Sequence, residues 1–249
     1  MSTPYPRAIV VGASSGIGEA LARQLASEGS RVALVARRGD KLEALASDIR
    51  AAGGDAHCFV NDVREFDTVA GCFDEAVAAL GGLDLLVYAS GVMPSLEEHE
   101  YDFSKDRAMM ETNVVGAMAW LNPAAALMEA QRSGTLMGIS SIAGERGRRG
   151  NPAYCTSKAA FSTYLESLRN RLARYGVSVV TIKPGFIQTP MTEHLGDELL
   201  WLITADEAAR QILKVTRRGK LSAFIPARWA LVALIIRNIP SFVFRKLSI

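Results

Sequence analysis

The chain has 249 residues, of which 49% are hydrophobic and 22% charged, and its 28 basic and 26 acidic residues leave a formal net charge of +2. A chain of that size can bury one large core, and its apolar share excludes intrinsic disorder. The near-balance of charge argues against a nucleic-acid partner, which would draw a strong basic excess. Cys58, Cys72 and Cys155 form no CxxC pair and no His-rich cluster, so neither a disulfide framework nor a zinc or other metal site is expected. The opening MSTPYPR has no apolar run behind a basic stretch, and no window holds the ~18 apolar residues of a membrane span. These features lead to the expectation of a cytoplasmic protein, with peripheral membrane contact through the tail left open.

In chain order, short apolar runs alternate with longer helical patterns. Residues 8–11 read as a strand, and a helix follows with Ile17, Leu21 and Leu25 four apart on one stripe. Residues 31–36 and 55–60 read as the second and third strands, separated by a helix from about 41 to 52. A helix over 65–80 leads to a strand at 83–89, and one over about 114–130 leads to a strand at 134–140. A helix from about 152 to 175 carries Phe161, Leu165, Leu168 and Leu172 on one face. Strands at 177–183 and 222–225 complete the set. Several strands are nearly all apolar, as parallel strands covered on both faces must be. The alternation predicts an α/β fold: a single-domain, Rossmann-like doubly wound parallel sheet of about seven strands over 1–225, with helices on both faces. An apolar tail, 226–249, follows. Functional residues should gather just after the strands, where such sheets bind ligands.

The first strand runs straight into Gly12-Ala13-Ser14-Ser15-Gly16-Ile17-Gly18 and then a helix. Glycines let the backbone turn tightly against a pyrophosphate, and the helix offers it unpaired N–H groups and a positive dipole end. The segment also reads GxSxG around Ser14, a hydrolase nucleophile pattern. Position excludes that reading, because a hydrolase elbow lies well into the chain and His57, His99 and His194 have no catalytic context. An acid at the end of the second strand would favour NAD; here Arg37 and Arg38 follow instead. Guanidinium groups suit a 2′-phosphate, so NADP(H) is the expected cofactor. Asp62, with Val63 beside it, is placed either to accept a hydrogen bond from the adenine amine or to cap the next helix.

Tyr154 and Lys158 lie one helical turn apart, and Ser141 lies thirteen residues before Tyr154 at the end of a strand. This set suits carbonyl reduction. The oxygen left after hydride transfer takes a proton, a phenol can give it, a nearby ammonium lowers the phenol's pKa, and a serine hydroxyl can hold the oxygen.

Taken together, these motifs resemble the short-chain dehydrogenase/reductase superfamily in its ~250-residue form, from residue 7 to about 216. The resemblance implies that Tyr154 is the general acid/base, that Lys158 lowers its pKa and binds the nicotinamide ribose, and that Ser141 orients the substrate oxygen. Asn113, in Asn113-Val114-Val115-Gly116, matches the family asparagine that helps hold a proton-relay water. In Pro184-Gly185-Phe186-Ile187-Gln188-Thr189-Pro190, Pro184 and Gly185 would border the nicotinamide, with Ile187 and Thr189 meeting its carboxamide. The family's Asn-Asn-Ala-Gly is here Tyr88-Ala89-Ser90-Gly91. Gly91 keeps the close backbone approach, while the second asparagine's contacts are lost, at the expense of local stability and cofactor affinity. The Asp-Gly-Gly ending of many tetrameric members is also missing, and a homodimer is expected.

Between Ser141 and Tyr154, three arginines, Arg146, Arg148 and Arg149, suit either an acidic substrate or a solvated loop. Residues 191–204, with Leu195, Leu199, Leu200, Trp201 and Leu202, read as a lid over an apolar substrate or as core. The tail has spaced arginines and a Pro240 break, and reads as a membrane-surface helix, a dimer contact or a pocket flap. The leading expectation is an NADP-dependent enzyme reducing an apolar ketone or aldehyde, or oxidising the alcohol. The alternative is a catalytically silent dinucleotide-binding regulator on the same fold.

Overall fold

The computed structural model describes residues 3–193 and 199–247. Its centre is a seven-stranded sheet built from β1 (Arg7–Val11), β2 (Arg31–Ala36), β3 (Asp55–Val60), β4 (Leu85–Tyr88), β5 (Thr135–Ile139), β6 (Ser178–Pro184) and a last strand, β9 (Ser222–Ile225). Every pairing is parallel, in the order β3-β2-β1-β4-β5-β6-β9. A second, two-stranded sheet joins β7 (Ile187–Gln188) to β8 (Ile203–Thr204).

Parallel strands need crossovers, and the crossovers cover both faces. On one face lie α1 (Gly16–Ser27), α2 (Gly39–Ala51) and α7 (Ala205–Arg217), closing Leu21, Leu25, Leu42, Ile212 and Leu213 over Val10, Leu34 and Val87. On the other lie α3 (Phe66–Leu80), α5 (Gly116–Gln131) and α6 (Pro152–Leu172), closing Phe73, Trp120, Leu121 and Phe161 over Val11, Val35 and Leu86. The chain moves outward from β1 to β3 and then returns to place β4 on β1's other side. The carboxyl ends of β1 and β4 therefore form the crevice that doubly wound sheets use for ligands.

The expected seven strands are all present, β4 and β5 being shorter than 83–89 and 134–140. Two helices have no counterpart in the sequence reading. One is α4 (Phe103–Met110), which runs through a π-turn (Glu111–Val115) into α5. The other is α7, whose start is marked by Thr204 accepting from the Glu207 N–H at 3.2 Å. That Thr-x-x-Glu capping pattern and the buried Ala208, Ala209, Ile212 and Leu213 are legible as a helix.

Tyr88, the last residue of β4, is fully buried. Its hydroxyl donates to the Thr112 carbonyl in the π-turn at 2.6 Å, and its ring stands edge-on to Phe161 at 5.7 Å. The aromatic residue standing where the family has asparagine thus ties β4 to the turn that carries Asn113. Tyr88→Phe removes that buried donor and is expected to cost about 1–2 kcal/mol. A lower urea midpoint with an unchanged slope would register the loss.

Candidate active site

At the end of β1 the backbone turns through Gly12 at φ +92°, a conformation L side chains rarely adopt. A Cβ there would stand 2.5 Å from the Ser90 nitrogen, and one on Gly18 would stand 2.2 Å from the Gly12 oxygen. Glycine is what lets α1, the turn and the β4 loop meet. Ser15 precedes α1 without a side-chain cap bond, leaving the first-turn N–H groups of the helix for an anion. Arg38 reaches back over this turn, and its Nη2 donates to Ser14 Oγ and Ser15 Oγ, both at 2.8 Å. Ser14 is therefore paired with a guanidinium. Arg37 instead stands 3.7 Å from the Asp62 carboxylate.

Asp62 does not cap α3, whose N-cap is Glu65. Its carboxylate accepts from the Arg64 backbone N–H at 3.0 Å and from Arg64 Nη2 at 2.9 Å, closing a local turn. Burial pushes its pKa up, but the hydrogen bonds from Arg64 outweigh burial and hold the group below the ordinary aspartate value.

The residues expected to handle the proton gather at the carboxyl end of β5. Ser141 opens a 3-10 turn (Ile142–Glu145), and its Oγ accepts from the Ala143 N–H at 3.1 Å. Asn151 caps α6 by accepting from the Tyr154 N–H at 3.0 Å, which fixes the first turn of that helix. Tyr154 and Lys158 are 8% and 4% exposed, so both work out of bulk water. Lys158 Nζ donates to the Ile139 carbonyl at 3.0 Å and lies 5.7 Å from the centre of the Tyr154 ring.

Burial brings the Lys158 ammonium down to about 8. It raises Tyr154 above its ordinary value, against the opposing pulls of the Ser141 hydroxyl and the Arg148 charge. The sequence reading expected the ammonium to depress the phenol. In this geometry desolvation acts on both groups and dominates, and Lys158 is directed to the Ile139 carbonyl. Asn113 is fully buried; its Nδ2 donates to the Val92 carbonyl at 3.1 Å and to Ser157 Oγ at 3.0 Å, and its Oδ1 accepts from the Val92 N–H at 2.8 Å. Gly91 separates it from Lys158, with space for a Cβ only 3.3 Å from Asn113 Oδ1 and 3.4 Å from Lys158 Nζ.

One cleft collects these groups. Gly12, Ser14, Ser15, Gly16, Ile17 and Gly18 line it together with Arg37, Arg38, Asp62, Val63 and Gly91. Ser141, Tyr154, Lys158, Pro184, Gly185, Ile187 and Thr189 line its other end, while Asn113 lies behind the wall. The sequence model of the short-chain dehydrogenase family matches residues 6–199. The chain belongs to the short-chain dehydrogenases.

An uncharacterized oxidoreductase of Myxococcus xanthus is 35% identical over 240 residues, covering 96% of this chain and 95% of its own. The 3-oxoacyl-(acyl-carrier-protein) reductase of Staphylococcus aureus is 35% identical over 198 residues, covering 77% of this chain and 78% of its own. Among solved structures, a variant of actinorhodin polyketide ketoreductase with NADPH superposes at TM-score 0.80 and 26% identity, over 90% of this chain and 97% of that one. A short-chain type dehydrogenase/reductase of Mycobacterium marinum does so at 0.79 and 30%, over 87% and 91%. This chain is therefore an oxidoreductase of the short-chain type, and the silent-regulator alternative is not favoured.

Several parts of this short-chain dehydrogenase's site escaped the sequence reading. A Cβ on Gly185 would fall 2.0 Å from the indole nitrogen of Trp229, so the tail's first helical residue presses directly on the Pro184–Gly185 segment. Trp229 also packs edge-on against Phe186 at 5.6 Å and Trp201 at 5.3 Å. Ser157, Ser140 and the Ile139 carbonyl, which brace Asn113, α6 and Lys158, carry no motif. The three loop arginines have separate fates. Arg146 binds the tail backbone, Arg149 stands 3.6 Å from Glu98, and Arg148 adds charge near Tyr154. In the 191–204 segment, Ile203 pairs with Ile187 and Trp201 packs on Trp229, whereas His194 and Leu195 lie outside the described residues.

The shift at Lys158 sets a pH dependence. Its folded pKa of about 8 lies below the 10.5 of the free side chain, so between those values the unfolded chain binds more protons. The penalty for burying the ammonium is full below pH 8 and is relieved as pH rises. Lys158→Met is expected to be more stable than the parent at pH 7 by about 1–2 kcal/mol, with the gap closing by about pH 10. Chemical denaturation at the two pH values measures it.

Proposed function

We propose that this short-chain dehydrogenase is an NADP(H)-dependent carbonyl reductase acting on an apolar ketone or aldehyde, and on the corresponding alcohol in reverse. The observation that carries the reading is that Ser141 and the buried Tyr154 and Lys158 line the far end of the same cleft that begins at the glycine turn. The donor set fits a dinucleotide phosphate. The α1 N-terminus with Ser14 and Ser15 would hold the pyrophosphate, and Arg38 with Arg37 the 2′-phosphate. Asp62 and Val63 would flank the adenine, with Gly91 allowing close approach. Lys158 would hold the ribose, and Pro184, Gly185, Ile187 and Thr189 the nicotinamide. When bound, that cofactor supplies the hydride.

The chain's own residues handle the oxygen and its proton. Ser141 donates a hydrogen bond to the substrate oxygen and fixes it beside Tyr154. Burial keeps the Tyr154 phenol protonated at neutral pH, so it can give its proton as negative charge grows on that oxygen. Lys158, with a pKa of about 8, stands beside the phenol to resupply the proton, and Asn113, behind it, would help hold the relay water that the family resemblance implies. The names of two similar proteins, an oxoacyl reductase and a ketoreductase with NADPH, support this direction and cofactor. Phe186 and Trp229 beside Gly185, with Trp201 packed on Trp229, support an apolar substrate. For assembly we carry a homodimer, in which exposed Tyr101, Phe103 and Val115 near α4 would be covered by a second copy; sedimentation of the purified chain measures that state. For location we carry the cytoplasm, and for organisation a catalytic unit over 1–225 with 226–249 as its appendage.

A panel of ketones and aldehydes, lipid carbonyls included, followed by NADPH absorbance, tests the reading. Tyr154→Phe should lower kcat by a factor on the order of 10³ or more while NADPH binding persists. Turnover that survives this change would remove the mechanism. Arg38→Ala should weaken NADPH by about tenfold or more and NADH by under about threefold, with Arg37→Ala following in the same direction. Equal losses for both nucleotides would remove the cofactor assignment.

A further inference from the structure

The tail folds into two short helices, α8 (Trp229–Asn238) and α9 (Ser241–Phe244), and α8 is apolar on both sides. Its inner side is accounted for. Trp229 and Ala233 are buried, and Arg146 donates to the Ile236 carbonyl at 2.8 Å and also to the Ile239 carbonyl. The Arg146 guanidinium lies 4.1 Å from the centre of the Phe244 ring. Glu145, whose side chain is 2% exposed, pairs with Lys183 at 2.7 Å and with Arg237 of the tail. The tail is thus locked to the turn that follows Ser141.

The outer side is not accounted for by the fold. Leu231, Leu234 and Ile235, at helical spacing i, i+3, i+4, are 63%, 59% and 55% exposed, and Phe242 on α9 is 65% exposed. Around them, residues 226–249 carry Arg228, Arg237, Arg245 and Lys246 and no aspartate or glutamate. Among the described residues, the carboxylate that pairs with the tail, Glu145, lies on its buried side. Among the described residues no helix is long and apolar enough to cross a membrane.

We propose that this face docks on the surface of an anionic lipid bilayer, with Leu231, Leu234, Ile235 and Phe242 entering the interface and Arg245 and Lys246 meeting the headgroups, while Arg228 stacks on Trp201 at 4.9 Å. Charge chooses between occupants. A second copy placed on the same face by a two-fold axis would set the patch against itself and bring its cations together. An anionic bilayer offers apolar depth and opposite charge at once, and each cation near it adds to the attraction. The geometry also differs from a pocket flap, because these side chains point away from the body while Trp229 alone closes on Gly185. Membrane docking here is independent of which carbonyl the enzyme reduces.

Flotation of the full chain with vesicles of phosphatidylcholine alone, and of phosphatidylcholine with about a third phosphatidylglycerol, tests the proposal. The chain should float with the anionic vesicles at least about tenfold better than with the neutral ones at about 0.05 M salt, and about 0.5 M salt, which shortens the Debye length roughly threefold, should weaken the difference. Two variants divide the contributions: Leu231→Ser with Leu234→Ser and Ile235→Ser, and Arg245→Gln with Lys246→Gln. Each should lower anionic-vesicle binding about tenfold or more, with circular dichroism and NADPH affinity unchanged to show that the fold persists. Absence of flotation with anionic vesicles would overturn the proposal. So would a serine variant that keeps its vesicle binding, or one whose only effect is to turn a sedimenting dimer into a monomer, which would assign the face to a second copy.

Discussion

The close passage of backbone against backbone at the carboxyl ends of β1 and β4 is the constraint on which the site rests. Gly12 turns at positive φ with the Ser90 backbone where its side chain would be, and Gly18 lets α1 start against the same turn. Because all seven strands run parallel, every crossover delivers its following loop to that same edge. The glycine turn, the arginines after β2, the Asp62 turn after β3, Gly91 after β4, Ser141 after β5 and Gly185 after β6 are therefore neighbours. Nothing local to any one of these segments requires it.

Burial then gives the residues at that edge their character. Tyr154 and Lys158 are placed on one face of α6 by helical spacing, but their acidities follow from the packing of β5 and the π-turn around them. Burial opposes charge on both groups, keeping the phenol protonated and making the ammonium easier to discharge. A pair in that state is suited to moving a proton to an oxygen as charge develops on it. The polar groups that border the pocket are held by partners of their own. Asn113 bonds to Val92 and Ser157, Ser140 bonds to the α6 backbone, and Tyr88 bonds to the π-turn. Tyr88 departs from the family's asparagine yet supplies a tie of its own between β4 and the helix opposite.

At the other end of the site the tail behaves as part of the body on one side and as surface on the other. Arg146, Glu145 and Trp229 bring it against the Ser141 turn and Gly185, so the loop arginine that looked free to bind an acidic ligand is engaged in structure. This is the usual competition between a charged loop's two uses. A guanidinium beside unpaired helix C-terminal carbonyls is drawn to them, and Ile236 and Ile239 provide them.

The seven strands, their parallel covering and the glycine, Ser141, Tyr154 and Lys158 positions were legible in the sequence because each depends on short-range rules: apolar runs, turn stereochemistry and helical spacing. α7 was missed, although Thr204, Glu207 and its apolar stripe mark it by the same rules. The direction of the Tyr154 shift, the choice of Arg38 rather than Arg37 as the group over Ser14 and Ser15, the cap at Glu65 in place of Asp62, and the seating of Trp229 on Gly185 were decided only in three dimensions. Desolvation, guanidinium reach and contacts between segments more than forty residues apart depend on what the fold places nearby, and spacing along the chain does not encode that.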